Sequence, residues 1–131
     1  MNPVVHFEMP AENRDRMAGF YTTAFGWKMQ MMGEEMGNYV VAHTSETDEN
    51  GMVKTPGTIN GGFYPKPDDG TMAAPSLVIA VDDIHASMKK ITDAGGKLLG
   101  EPVMIPMVGE FVSFTDTEGN RVSILQPAMP A

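Results

Sequence analysis

The chain opens on an alternation. In Val4-Val5-His6-Phe7-Glu8-Met9, His6 and Glu8 share one face and Val5, Phe7 and Met9 share the other. A period of two predicts a half-buried β-strand, which Pro10 is expected to end. From Ala11 to Phe25 the period becomes helical. Met17, Phe20, Tyr21, Ala24 and Phe25 form an apolar stripe, Asn13 is a suitable N-cap and Gly26 a suitable stop. Residues 27–32, 38–44 and 58–64 read as strands, the last broken by Gly61-Gly62. Between the latter two lies a polar stretch with the turn signal Asn50-Gly51.

A proline-rich segment, residues 66–75, reads as a linker, and after it the pattern restarts. Residues 76–81 predict a strand. Asp82 or Asp83 caps a helix running to Ala94, with Ile84, Met88 and Ile91 on one side and Gly95-Gly96 as its stop. Strands follow at 97–99, 104–107, 110–115 and 121–126, the last two joined by a turn over 116–120. Both halves therefore run strand, helix, strands. An offset of 70 aligns the first strand and helix without a gap, bringing Thr22 onto Thr92 and Gly26 onto Gly96. For the last strand an offset of 62 brings Gly61 onto Ser123 and Phe63 onto Leu125. The expectation is a duplication, with one domain over 1–131 built from units 1–65 and 76–131.

Composition narrows the function. The chain has 131 residues, 42% hydrophobic and 20% charged, which suits one folded domain with a real core. It has no cysteine, which excludes disulfides, thiolate metal sites and cysteine nucleophiles. A net charge of −8 repels phosphate backbones and anionic lipid and favours a cationic ligand. Nucleic acid and membrane surfaces are therefore not expected partners. No apolar run is long enough to span a bilayer and no secretory pattern is visible, so the default expectation is cytoplasmic. Walker loop, dinucleotide fingerprint, HExxH and nucleophile-elbow motifs are missing from the sequence.

Three stretches carry a family resemblance. HFEMPAENRDRMAGFYTTAFGWK (6–28) has a strand, a helix with Phe-Tyr and a Phe-Gly-Trp exit. LVIAVDDIHASMKKITDAGGK (77–97) has a Val-Asp-Asp strand end, a helix and a Gly-Gly stop. FTDTEGNRVSILQP (114–127) has an acidic turn followed by alternating apolar residues, with Thr117 where proline is usual. The chain resembles the vicinal oxygen chelate superfamily, which groups glyoxalases, bleomycin-resistance proteins and extradiol dioxygenases. The resemblance implies an α+β fold in which two βαβββ units form a curled, half-open mixed sheet barrel with helices outside. It also implies a homodimer. It is specific for fold and weak for activity.

In metal-dependent members, four inward residues hold a divalent ion that polarises substrate oxygens. Carried onto this chain, those positions fall on His6, Gly61, Ser76 and Ser123. Only His6 is a good ligand, and one imidazole does not hold a catalytic metal. No cofactor is therefore expected, and a divalent metal belongs to the alternative. The first reading is a small-molecule binder of the glyoxalase/bleomycin-resistance kind with a degenerate metal site. In it His6 and Glu8 are the candidate acid/base pair, and His43, Gly61, Phe63, Ser76, Ser123 and Leu125 line the ligand cup. The alternative is a metal-dependent lyase, isomerase or dioxygenase using His6 and Glu8 with His43 or Gln126. A ligand-free structural or regulatory dimer is the third reading. Phe20, Tyr21 and Trp27 are expected in packing, and His85 is expected to face solvent.

Overall fold

The computed structural model describes residues 1–71 and 73–128. Position 72 of the expected linker and the tail beyond 128 lie outside the described residues. The chain divides into two compact units, one from His6 to Pro75 and one in which residues 1–5 group with the chain from Ser76 onward. The Pro3 carbonyl accepts from the Ala80 N–H at 2.9 Å, which ties that leading segment to the second unit.

The first unit contains β1 (Val4–Ala11) from His6 onward, α1 (Arg14–Phe25), β2 (Lys28–Met31), β3 (Val40–His43) and β4 (Asn60–Pro65), with a 3-10 turn at Glu34–Met36. Its strands run in the order β2-β3-β4-β1, with β1 parallel to β4 and the other pairs antiparallel. The second contains β5 (Ser76–Ala80), α2 (Ile84–Asp93), β6 (Lys97–Leu98), β7 (Val103–Ile105), β8 (Gly109–Thr115) and β9 (Arg121–Pro127). There β9 lies between β5, parallel, and β8, antiparallel, and β6 and β7 both pair with β8. The repeated order is present, with β7 as an extra short strand.

The helix ends follow local chemistry. The Asn13 side chain accepts from the Arg16 N–H at 3.0 Å, and Asp83 does the same for Ala86 at 3.0 Å. Gly26, at φ 74°, closes α1 in the left-handed conformation that favours glycine. Pro10 does not end β1. The strand runs on to Ala11 alongside β4, with Pro10 level with Tyr64, where proline forfeits only one donor.

Each helix covers one side of its own sheet. Val40, Ala42 and Phe63 are buried, with Phe7, Met9, Met17, Tyr21, Trp27 and Met29 packed around them. In the second unit Val81, Ile84, Val112, Phe114 and Ile124 form the core, with Met88 and Ile91 of α2 against it. The expected stripe of α2 is thus the buried one. The stripe of α1 is not wholly so: Phe20 is 59% exposed and Phe25 64%, because Ala18, rather than Phe20, turns inward beside Met17 and Tyr21. Among the described residues no helix is long and apolar enough to cross a membrane.

Register decides which side chains share a face. His6 pairs with Asn60, Phe7 with Gly61, Glu8 with Gly62 and Met9 with Phe63. In the second unit Val78, which is 70 positions on from Glu8, pairs with Ser123. Gly62 and Ser123 are therefore the equivalent positions, an offset of 61 (123 − 62) rather than 62. A slip of one residue reverses every side-chain direction along a strand. The alignment of Gly61 with Ser123 and of Phe63 with Leu125 is corrected to Gly62 with Ser123 and Tyr64 with Leu125.

A candidate site built on His6, Tyr39 and Glu8

The alternation of β1 sends Phe7 and Met9 into the helix-side core and His6 and Glu8 to the opposite face. There the two polar side chains meet through a third. His6 Nε2 lies 2.9 Å from the Tyr39 hydroxyl, and that hydroxyl donates to Glu8 Oε2 at 3.0 Å. Tyr39 stands one residue before β3 and is delivered by a clamped turn. Arg14 Nη1 donates to the carbonyls of Met32 (2.8 Å) and Asn38 (3.3 Å), and the Met32 N–H donates to the Tyr39 carbonyl at 2.8 Å. Gly62 makes room for the ring: a Cβ built there would overlap the Tyr39 hydroxyl and ring carbons.

The electrostatics follow from burial. Burial lowers the His6 imidazole from 6.5 to about 4, so it is neutral at pH 7. Burial, then the charge and hydrogen bond of Glu8 and the charge of Tyr64, push the Tyr39 phenol far above its ordinary value. Tyr39 has one proton, and it points to Glu8. Nε2 of His6 must then carry the ring proton and donate to the Tyr39 oxygen, which leaves Nδ1 with its lone pair. Nδ1 has no hydrogen-bond partner among the described residues. The chain Nε2–H to Oη–H to Oε2 is a polarised relay whose free end is an acceptor.

The other candidates divide by face. His43 continues the phase of Val41, which pairs with Gly62 across β3 and β4, so it lies on the face of His6 and Glu8. Asn60, level with His6, has its side-chain oxygen occupied by the N–H groups of Thr44 (2.8 Å) and Ser45 (3.0 Å). Gly61 and Phe63 lie on the helix side, where the Phe7 ring fills the space beside Gly61 and Phe63 packs edge-on against Phe7. The expectation that they look the same way as His6 is corrected by the register. In the second unit Ser123 and Leu125 share the face turned away from α2, and Ser76 follows the phase of Val78 on that face. Ser123 is 2% exposed and shares a 2.8 Å hydrogen bond with Ser113. Gln126 points to the helix side and accepts from the Ile84 N–H at 2.8 Å. His85 is exposed, as expected. Tyr39 is the residue that sequence reasoning missed, since nothing in a strand pattern marks a tyrosine 31 residues from Glu8 as its partner.

The fold is that of two βαβββ units, each a mixed sheet backed by its helix. Streptomyces coelicolor methylmalonyl-CoA epimerase has the same fold, with a TM-score of 0.70, 17% identity, and coverage of 96% of this chain and 97% of that one. The family model for the glyoxalase/bleomycin resistance protein/dioxygenase superfamily matches residues 4–124, and the chain belongs to that superfamily. A glyoxylase-like domain-containing protein of Didymella fabae is 32% identical over 120 residues, covering 89% of this chain and 88% of the relative. A putative glyoxylase of Mycobacterium bovis, CFP32, is 38% identical over 68 residues, 52% of this chain and 26% of that protein.

A divalent metal is the group such a fold implies, and the donors present do not fit one. Nε2 of His6 is engaged by Tyr39. Gly62 contributes no side chain, and the second unit offers hydroxyls at Ser76 and Ser123, which are poor ligands for borderline metals. Within the alternative ligand set, Gln126 is engaged with α2 and Glu8 accepts from Tyr39. No three His, Cys, Asp or Glu side chains gather into a metal-holding cluster among the described residues.

Proposed function

We infer that this glyoxalase-like protein binds a small organic molecule on the face of its first unit that carries His6, Tyr39 and Glu8. The observation behind the reading is the three-member hydrogen-bond chain at the position of the family's first metal ligand. A neutral His6 whose Nε2–H is spent on Tyr39 presents Nδ1 as a fixed acceptor, which suits a ligand with an N–H or O–H donor. The −8 net charge favours a neutral or cationic ligand over an anion at this face. In this reading His43 lies beside the ligand. The chain acts as one domain of two units, in the cytoplasm, as a homodimer.

The test is a thermal-shift and calorimetric screen of neutral and cationic small molecules, run with and without chelator. The expected result is stabilisation that survives the chelator and is lost in His6→Ala and Tyr39→Phe. Elemental analysis after exposure to Ni, Zn, Mn and Fe(II) supplies the opposing result. About one metal per chain, lost in His6→Ala, overturns the reading in favour of metal chemistry. Light scattering checks the dimer.

A further inference from the structure

A second site lies on the other side of the first sheet. A cavity of about 600 Å³ opens there beside α1, floored by Met9, Met17, Tyr21 and Phe63. Its size falls within the roughly 300–1,000 Å³ of small-molecule sites. Phe20, left 59% exposed by the way α1 packs, forms part of its wall. Three charged groups stand on its rim: Arg16, Lys66 and Glu12. Glu12 lies 3.8 Å from Arg16 and 3.9 Å from Lys66, so one exposed carboxylate is shared loosely between two cations. Pairs of that length and exposure hold their partners weakly. The rim is therefore locally cationic in a chain that carries 9 basic residues against 17 acidic ones.

An apolar floor below a cationic rim selects an amphiphilic anion. We propose that this cavity binds an organic carboxylate with an apolar body. Its head lies between Arg16 and Lys66 in place of the Glu12 carboxylate, and its tail lies along Met17, Tyr21 and Phe63. The polarity is opposite to that of the His6 face, and the site stands whether or not that face binds anything. Sharing two cations with Glu12 gives the site a built-in competitor. The ligand's head group must displace it, and affinity is expected to fall with added salt.

The protein carries its own reporter. Its single tryptophan, Trp27, stacks on Tyr21 with ring centroids 4.7 Å apart and planes 9° apart, and Tyr21 lines the cavity. Decanoate and decanol are titrated below their aggregation thresholds, followed by Trp27 emission and calorimetry, with light scattering alongside. Decanoate is expected to give a saturable change and to bind more tightly than decanol. Arg16→Gln and Lys66→Gln should each weaken decanoate by roughly two- to fivefold, and Glu12→Gln should strengthen it by a similar factor. All three side chains are exposed, so these variants are expected to fold normally. The proposal fails if decanoate gives no saturable change, or if the three charge variants leave its affinity unaltered. It also fails if the cavity is closed by a second copy of the chain. In that case Phe20→Asp would turn a dimer into a monomer, and decanoate would bind only the monomer.

Discussion

The Tyr39 ring occupies the space that a side chain at Gly62 would need. Gly62 has no positive φ, so the backbone would accept alanine and only the ring would not. Gly62→Ala should cost roughly 1–3 kcal/mol in urea unfolding, as overpacking does elsewhere. The cost should largely vanish in a Tyr39→Ala background, where the space is empty. A double-mutant cycle measures this coupling, and an additive result would mean that the ring does not lie against Gly62 in solution.

The His6 relay predicts a pH-dependent stability. Burial lowers the His6 pKa from 6.5 to about 4 in the folded state. Between those values the unfolded chain binds a proton that the folded chain refuses, so stability rises with pH across that window. The contribution is full above about pH 7 and lost as pH falls through 4, and it is worth at most about 3 kcal/mol. Urea midpoints from pH 4 to 8 should show this slope in the wild type. His6→Gln, which can keep a donor towards Tyr39, should flatten it.

Tyr39→Phe removes the atom that His6 and Glu8 share. The ring packing survives while the half-buried Nε2–H loses its acceptor, so a loss of roughly 1–3 kcal/mol is expected from the orphaned partner. The ligand-dependent thermal shift should fall in the same variant. A variant as stable as wild type would show that the hydroxyl bridge contributes nothing.

The buried hydroxyl pair of the second unit makes a contrasting case. Ser113 and Ser123 bond only through their hydroxyls at 2.8 Å, and Ser123 is almost fully enclosed. Ser113→Ala alone should cost about 1–2 kcal/mol by leaving Ser123 unpaired, whereas removing both hydroxyls should cost little. Equilibrium unfolding of the two single variants and the double variant tests this. A double variant worse than the sum of the singles would argue for a role of the pair beyond satisfying itself.

Local patterns carried most of the fold. Alternation over residues 4–9, the Asn13 cap, the Gly26 stop and the Ile84-Met88-Ile91 stripe each depend on neighbours a few residues away. Such features are written in the sequence because their physics is short-range. Phe20 escaped that logic. A helical stripe says which residues lie near one side, but only the partner sheet decides how far round the buried arc extends, and here it stops at Tyr21.

The sequence by itself determined the repeated order of strands and helices, the family, and the placing of His6 and Glu8 on one face of β1. Tertiary structure decided the rest of the candidate site. A period-two pattern is compatible with more than one register, and one residue's slip exchanges Gly61 and Phe63 for Gly62 and Tyr64 on the face of His6. The backbone pairing of β1 with β4 selects one of the two. Tyr39 enters the site only because the Arg14 clamp and the missing side chain of Gly62 let a ring from the turn before β3 reach between His6 and Glu8. That meeting joins residues more than 30 positions apart, a relation that spacing along the chain does not encode.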